Sequence, residues 1–145
     1  MTDPYLSIAR EVLGRVCAID TRFKVAPGMA DAWATVFRKS GTVWKTEALD
    51  AVANYYVAAK FPIMPSEIVD YCKQQPAHSS IEHALSVVED GIKNPASRKV
   101  EMLSGISYPE KTEDNWREYP DIVREFLQKN KRKLAEAIVQ KGGSA

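Results

Sequence analysis

The residues best suited to chemistry are few and far apart. Cys17, Cys72, His78 and His83 are the only thiols and imidazoles, and the last three are spaced C-x5-H-x4-H. That spacing matches no closed zinc pattern with paired cysteines. Both cysteines sit in apolar helical contexts, where a thiol is a small hydrophobe rather than an activated nucleophile. The adjacent acids Glu89-Asp90 and Glu113-Asp114 read as solvated pairs. The glycines are scattered, and none completes G-x-x-x-x-G-K or G-x-G-x-x-G, so no phosphate loop is expected. These features predict a chain that is not an enzyme and uses no metal or cofactor.

Two further groups suit binding. Lys129, Lys131, Arg132 and Lys133 form a basic run around Asn130. On a helix they fan over more than half the circumference, where they would meet phosphates or an acidic partner. Glu125 and Glu136 bracket the run, which favours the plainer reading of a solvated helix face. The aromatics of the first half are Trp33, Phe37, Trp44, Tyr55, Tyr56 and Phe61. Their helical spacing marks most of them as core rather than a stacking platform for bases. Tyr55 and Tyr56 are adjacent, about 100° apart on a helix. One therefore faces inward, and Tyr55 is the candidate for a partner surface.

The elements that carry these residues are all helical. Asp3-Pro4 is a capping acid followed by proline at the first helical position, and a helix runs to about Ile19. A second is expected over about 28–39, with Met29, Trp33, Val36 and Phe37 as its stripe and Ser40-Gly41 as its stop. A third runs over about 45–60, with Leu49, Val52, Ala53 and Tyr56 facing in. Pro62 and Pro65 force a turn before a fourth helix to Lys73. After Pro76, Ser79 and Glu82 have the spacing of a capping box ahead of Ile81, Ala84, Leu85, Val88 and Ile92. A short helix over about 96–103 follows. Residues 104–119 have the composition of a loop or flexible linker. The last helix is expected over 120–141, with Val123, Leu127, Leu134 and Ile138 as its seam.

The predicted fold class is all-α, a compact bundle of four N-terminal helices followed by two or three amphipathic helices. The expected divisions are 1–76, 77–103, 104–119 and 120–141. The chain has 145 residues with 20 basic and 19 acidic side chains, and each half is close to neutral. A protein with a large nucleic-acid footprint is usually more basic. No secretory leader or membrane span is expected, and two buried thiols suit a reducing compartment. The expected location is the cytoplasm, of a host cell if the chain is phage-encoded.

One resemblance adds to this reading. Trp33 and Phe37, then Leu49, Ala53 and Tyr56, then Phe61, Pro62, Pro65 and Ile68 follow one another within residues 19–71. This pattern resembles the small phage proteins that load and inhibit the replicative helicase. The resemblance covers about a third of the chain. It implies a helical N-terminal domain and a C-terminal segment that contacts the hexameric helicase, of host or phage. It implies delivery of the helicase to origin DNA with a replication initiator protein, and no ATPase of its own. Applied to this chain, the helix 120–141 would supply a helix-in-groove contact through Val123, Leu127, Leu134 and Ile138. The basic run would steer towards an acidic partner or make a weak contact with DNA. The alternatives are a helix-turn-helix DNA-binding protein built from 45–73, or a small phage protein that diverts another host enzyme. The number of copies in the working assembly is left open.

Overall fold

A computed structural model describes residues 3–143. The described residues form eight α-helices and one 3₁₀ turn and contain no strand. The chain divides into two compact units, residues 1–75 and 76–145.

The first unit holds α1 (Pro4–Ile19), α2 (Met29–Ser40), α3 (Lys45–Tyr56) and α4 (Pro65–Gln74). Asp3 caps α1 by accepting the Tyr5 N–H at 3.0 Å, which satisfies one of the free donors of the first turn. The α1 face that packs on α2 and α3 carries Ala9, Val12, Leu13 and Val16, all buried. α2 runs between two left-handed glycines, Gly28 (φ 80°) and Gly41 (φ 66°). Its buried face is Trp33, Ala34 and Phe37, while the expected Val36 is exposed. Trp33 lies edge-on between Phe23 (5.9 Å) and Phe37 (6.3 Å), an arrangement that suits the ring quadrupoles.

α3 departs from the expected stripe. Its buried residues are Glu47, Ala48, Ala51 and Val52, and Ala53 is exposed. The reason is that α1 and α4 both pack on this helix, so its inner face is wide and lined by small side chains. The helix also ends at Tyr56 rather than near Lys60. Ile63 and Ile68 then close the core from the turn and from α4, and Cys72 is fully buried among them.

The second unit holds the 3₁₀ turn Ala77–Ser79, α5 (Ile81–Lys93), α6 (Lys99–Ser104), α7 (Tyr119–Lys129) and α8 (Lys131–Gly143). Helix α5 is central, with α6, α7, α8 and the 3₁₀ turn all packed against it. The α5 cap is Ser80, whose hydroxyl accepts the His83 N–H at 3.1 Å, and not the expected Ser79. Gly91 lets the neighbouring helices approach. A Cβ there would stand 2.9 Å from Val100 Cγ2 and 3.4 Å from Leu127 Cδ1.

Two expectations for this half are corrected. Residues 104–119 are not a free linker. Tyr108 is buried and edge-on to Phe126 at 6.0 Å. Its N–H donates to Glu101 Oε2 at 2.7 Å, and the Tyr119 hydroxyl donates to the Pro109 carbonyl at 2.7 Å. Asn115 ties the tip together by accepting from Thr112 N–H and donating to Glu110 C=O. Second, the expected helix 120–141 is two helices. Asn130 ends α7, and its carbonyl accepts the Leu134 N–H that opens α8. Its side-chain amide donates back to Phe126 C=O at 2.9 Å, the kind of side-chain-to-backbone bond that competes with helix continuation.

Candidate functional site

A polar cluster of the first unit is built at the end of α1. Asp20 follows the last residue of that helix and is only 6% exposed. Its carboxylate accepts the Arg22 backbone N–H (3.0 Å), Arg22 Nε (2.9 Å) and Nη2 (3.1 Å). It also accepts the Tyr56 hydroxyl at 2.9 Å. The same Tyr56 oxygen accepts the Ile63 N–H at 3.1 Å. The Arg22 guanidinium, then the Tyr56 hydroxyl, hold the Asp20 carboxyl down at about 2. One phenol therefore ties the end of α1 to the end of α3 and to the proline-bracketed turn.

What this node fixes in place is apolar and open to solvent. Val57 is 84% exposed, Phe61 77% and Met64 61%, and each lies within two residues of Tyr56 or Ile63. Ile19 and Val25, flanking Asp20 and Arg22, are also exposed. Lys24 and Lys60 lie on the same two segments and are exposed, as is Arg22. Ile63 is buried beneath the turn, which anchors it from inside. The chain around Tyr56 and Ile63 therefore presents exposed apolar side chains, with exposed basic residues on the same segments and Pro62 and Pro65 bracketing the turn.

The residues proposed from sequence fare differently. Val123 and Leu127 on α7, with Leu134 and Ile138 on α8, are 0–2% exposed and form the core of the second unit. They are spent on intramolecular packing, so the expected helix-in-groove contact through them is corrected. Tyr55 is half-buried against the core of the first unit and lies edge-on to Tyr56 at 5.1 Å. The basic run is split by the break at Asn130 and is largely paired within the molecule. Lys129 meets Glu125 at 3.9 Å, Arg132 meets Glu136 at 3.2 Å, and Lys131 meets Glu89. Lys133 is exposed.

The thiols and imidazoles do not assemble. Among the described residues no group of three or more His, Cys, Asp or Glu side chains is placed to hold a metal ion. His83 is buried, and its Nδ1 shares a hydrogen bond with Ser79 Oγ at 3.2 Å. Burial pushes the Cys72 thiol up to about 11, so it stays protonated at neutral pH. The Cys17 thiol faces the Phe23 carbonyl at 3.8 Å.

Two residues central to this geometry were not singled out from the sequence. Asp20 follows the expected end of the first helix, and an Asp two residues ahead of a donor is the pattern of an Asx turn that would have marked it. Tyr56 was placed on the inner face for its ring alone, and its hydroxyl does the linking. No family model, curated protein or solved structure matches the chain. Among the described residues no helix is long and apolar enough to cross a membrane.

Proposed function

We propose that this chain is a non-enzymatic adaptor that binds a hexameric replicative helicase and loads or restrains it during phage DNA replication. The observation that carries the docking role is the exposed set Val57, Phe61 and Met64, next in the chain to the Tyr56–Asp20–Ile63 node that ties the turn backbone down. Large apolar side chains on a braced turn lose little freedom on association, so they make efficient anchors. The helicase as partner rests on the resemblance over residues 19–71, and Phe61, Pro62 and Pro65 belong to that pattern. The contact surface is therefore moved from the C-terminal helix to the first unit. Lys24 and Lys60 on the same segments favour an acidic rim on the partner and raise the encounter rate.

The test is co-purification of the full chain with the host or phage helicase, beside Phe61→Asp and Met64→Asp. Both side chains are exposed, so both variants should keep their helical circular dichroism. The expected result is a complex with the wild type that is weakened at least about tenfold by either substitution, the scale of a hot-spot loss. No complex with the full chain would remove the helicase from consideration. A complex indifferent to both substitutions would remove this surface. Deleting 116–145 is a poor test, because it strips Val123, Leu127, Leu134 and Ile138 from the second core.

A further inference from the structure

The second unit carries a cavity of about 260 Å³ that none of the foregoing uses. Three aromatic rings line it, Tyr108, Trp116 and Tyr119, together with two cations, Arg98 and Lys111. Pro95, Ala96 and Pro120 complete the lining. No carboxylate lines it. The segment after α6 contributes Tyr108, Lys111 and Trp116, and Glu101 holds that segment in position by binding both Tyr108 N–H and Arg98.

Aromatic cavities of this kind serve two opposite chemistries. Bare ring faces attract cations. Here each ring already has one. Arg98 Cζ lies 5.8 Å from the Tyr108 centroid, Lys111 Nζ 5.7 Å from that of Tyr119, and Arg117 Cζ 5.1 Å from that of Trp116. A cationic ligand would meet like charge at every face. An anionic ligand would meet donors already gathered at the rings. Trp116 remains 53% exposed with Arg117 over it, which leaves indole surface free for stacking. Arg98 is shared with Glu101 at 2.7 Å, so Lys111 is the cation better able to turn to a ligand.

We propose that this cavity binds a nucleobase together with its phosphate, the base stacking on Trp116 and the phosphate meeting Lys111. The volume admits one nucleotide unit and not a folded duplex. Stacking on one exposed aromatic is tolerant of base identity, so little sequence preference is expected. Glu110, Glu113, Asp114 and Glu118 are exposed on the same segment without lining the cavity. They oppose a long phosphate backbone and keep affinity modest. The site is distinct from the basic run at 129–133, and it stands or falls separately from the helicase reading.

The shared chemistry has two sources, a free nucleotide or one unit of a single strand. The experiment titrates the full chain with adenosine monophosphate in one arm and with labelled oligo-dT and oligo-dA in the other. Tryptophan quenching and fluorescence anisotropy are the readouts, at low and moderate salt. Wild type is expected to bind in at least one arm, and that arm names the source. Trp116→Ala should weaken binding about tenfold, the scale of one lost stack. Lys111→Gln should weaken it less and reduce the logarithmic salt slope by about one. Both positions are exposed, and unchanged circular dichroism will show that the variants are folded. Absence of binding in both arms overturns the proposal. So does binding that both variants leave intact, or binding of a proline-rich peptide to Trp116 in place of any nucleotide.

Discussion

Asp20 shows how one carboxylate organises several elements, and its charge state makes that role measurable. The ordinary value for the group is near 3.8, and here it is held at about 2 by Arg22 first and Tyr56 next. A carboxyl depressed on folding adds stability that is fully present above its unfolded value. That stability is lost as pH falls from about 4 towards 2. Urea unfolding midpoints of wild type and Asp20→Asn should therefore differ at pH 7, and the gap should close between pH 4 and 2. A gap that stays constant over that range would show that the charge of Asp20 is not what holds the node. The contrasting case is Tyr71. Its hydroxyl bonds to Asp50, and that bond, with burial, raises it to about 12. That group has no titration in the neutral range to contribute.

At the scale of elements, one helix interior keeps a residue that propensity disfavours and packing does not require. Gly14 is exposed in the middle of α1, and a Cβ built there meets no atom within 4 Å. No close helix crossing requires it. Gly14→Ala should therefore stabilise the chain by about 0.5–1 kcal/mol, by restricting the unfolded state and favouring the helix. A thermal melt compares the two directly, and a lower melting temperature for the variant would mean that the glycine has a use not seen in the packing. The same scale explains what the sequence makes legible. Asp3-Pro4 and Ser40-Gly41 are local signals, and both place a helix end correctly. The cap at Ser80 differs from Ser79 by one residue because the 3₁₀ turn takes Ser79 and leaves Ser80 extended. The break at Asn130 is harder to read. Val123, Leu127, Leu134 and Ile138 keep one seam across it, and both α7 and α8 pack against α5 on either side of the Asn130 bond to Phe126. Order in 105–118 is decided at a distance, by Glu101 and Phe126 reaching Tyr108. The candidate docking surface was half legible: Phe61, Pro62 and Pro65 stand out as a turn. Their exposure depends on Ile63, not Phe61, being the residue that goes inside.

For the whole molecule, the division near Pro76 matters more than the count of helices. The two hydrophobic cores share no residue. One is built on Trp33, Phe37, Val52 and Ile68, the other on Val88, Val100, Leu127 and Leu134. Each also has its own capped helices and its own polar tie, Asp20–Tyr56 in one and Glu101–Tyr108 in the other. A unit of about 70 residues with a single small core has a margin of only a few kcal/mol. That is enough for cooperative folding when every helix packs on at least two neighbours, as all eight do. Residues 1–75 and 76–145, expressed separately, should each give helical circular dichroism and a cooperative melt. The second unit is the more exposed to failure, because Tyr108 is its one large buried aromatic and its hydroxyl is buried without a hydrogen-bond partner. A helical first half beside an unfolded second half would locate the cost of that arrangement. It would also mean that the nucleotide site exists only in the full chain. If both halves fold, the two proposed activities separate cleanly. Capture of the helicase should follow residues 1–75, and Trp116 quenching by a nucleotide should follow residues 76–145.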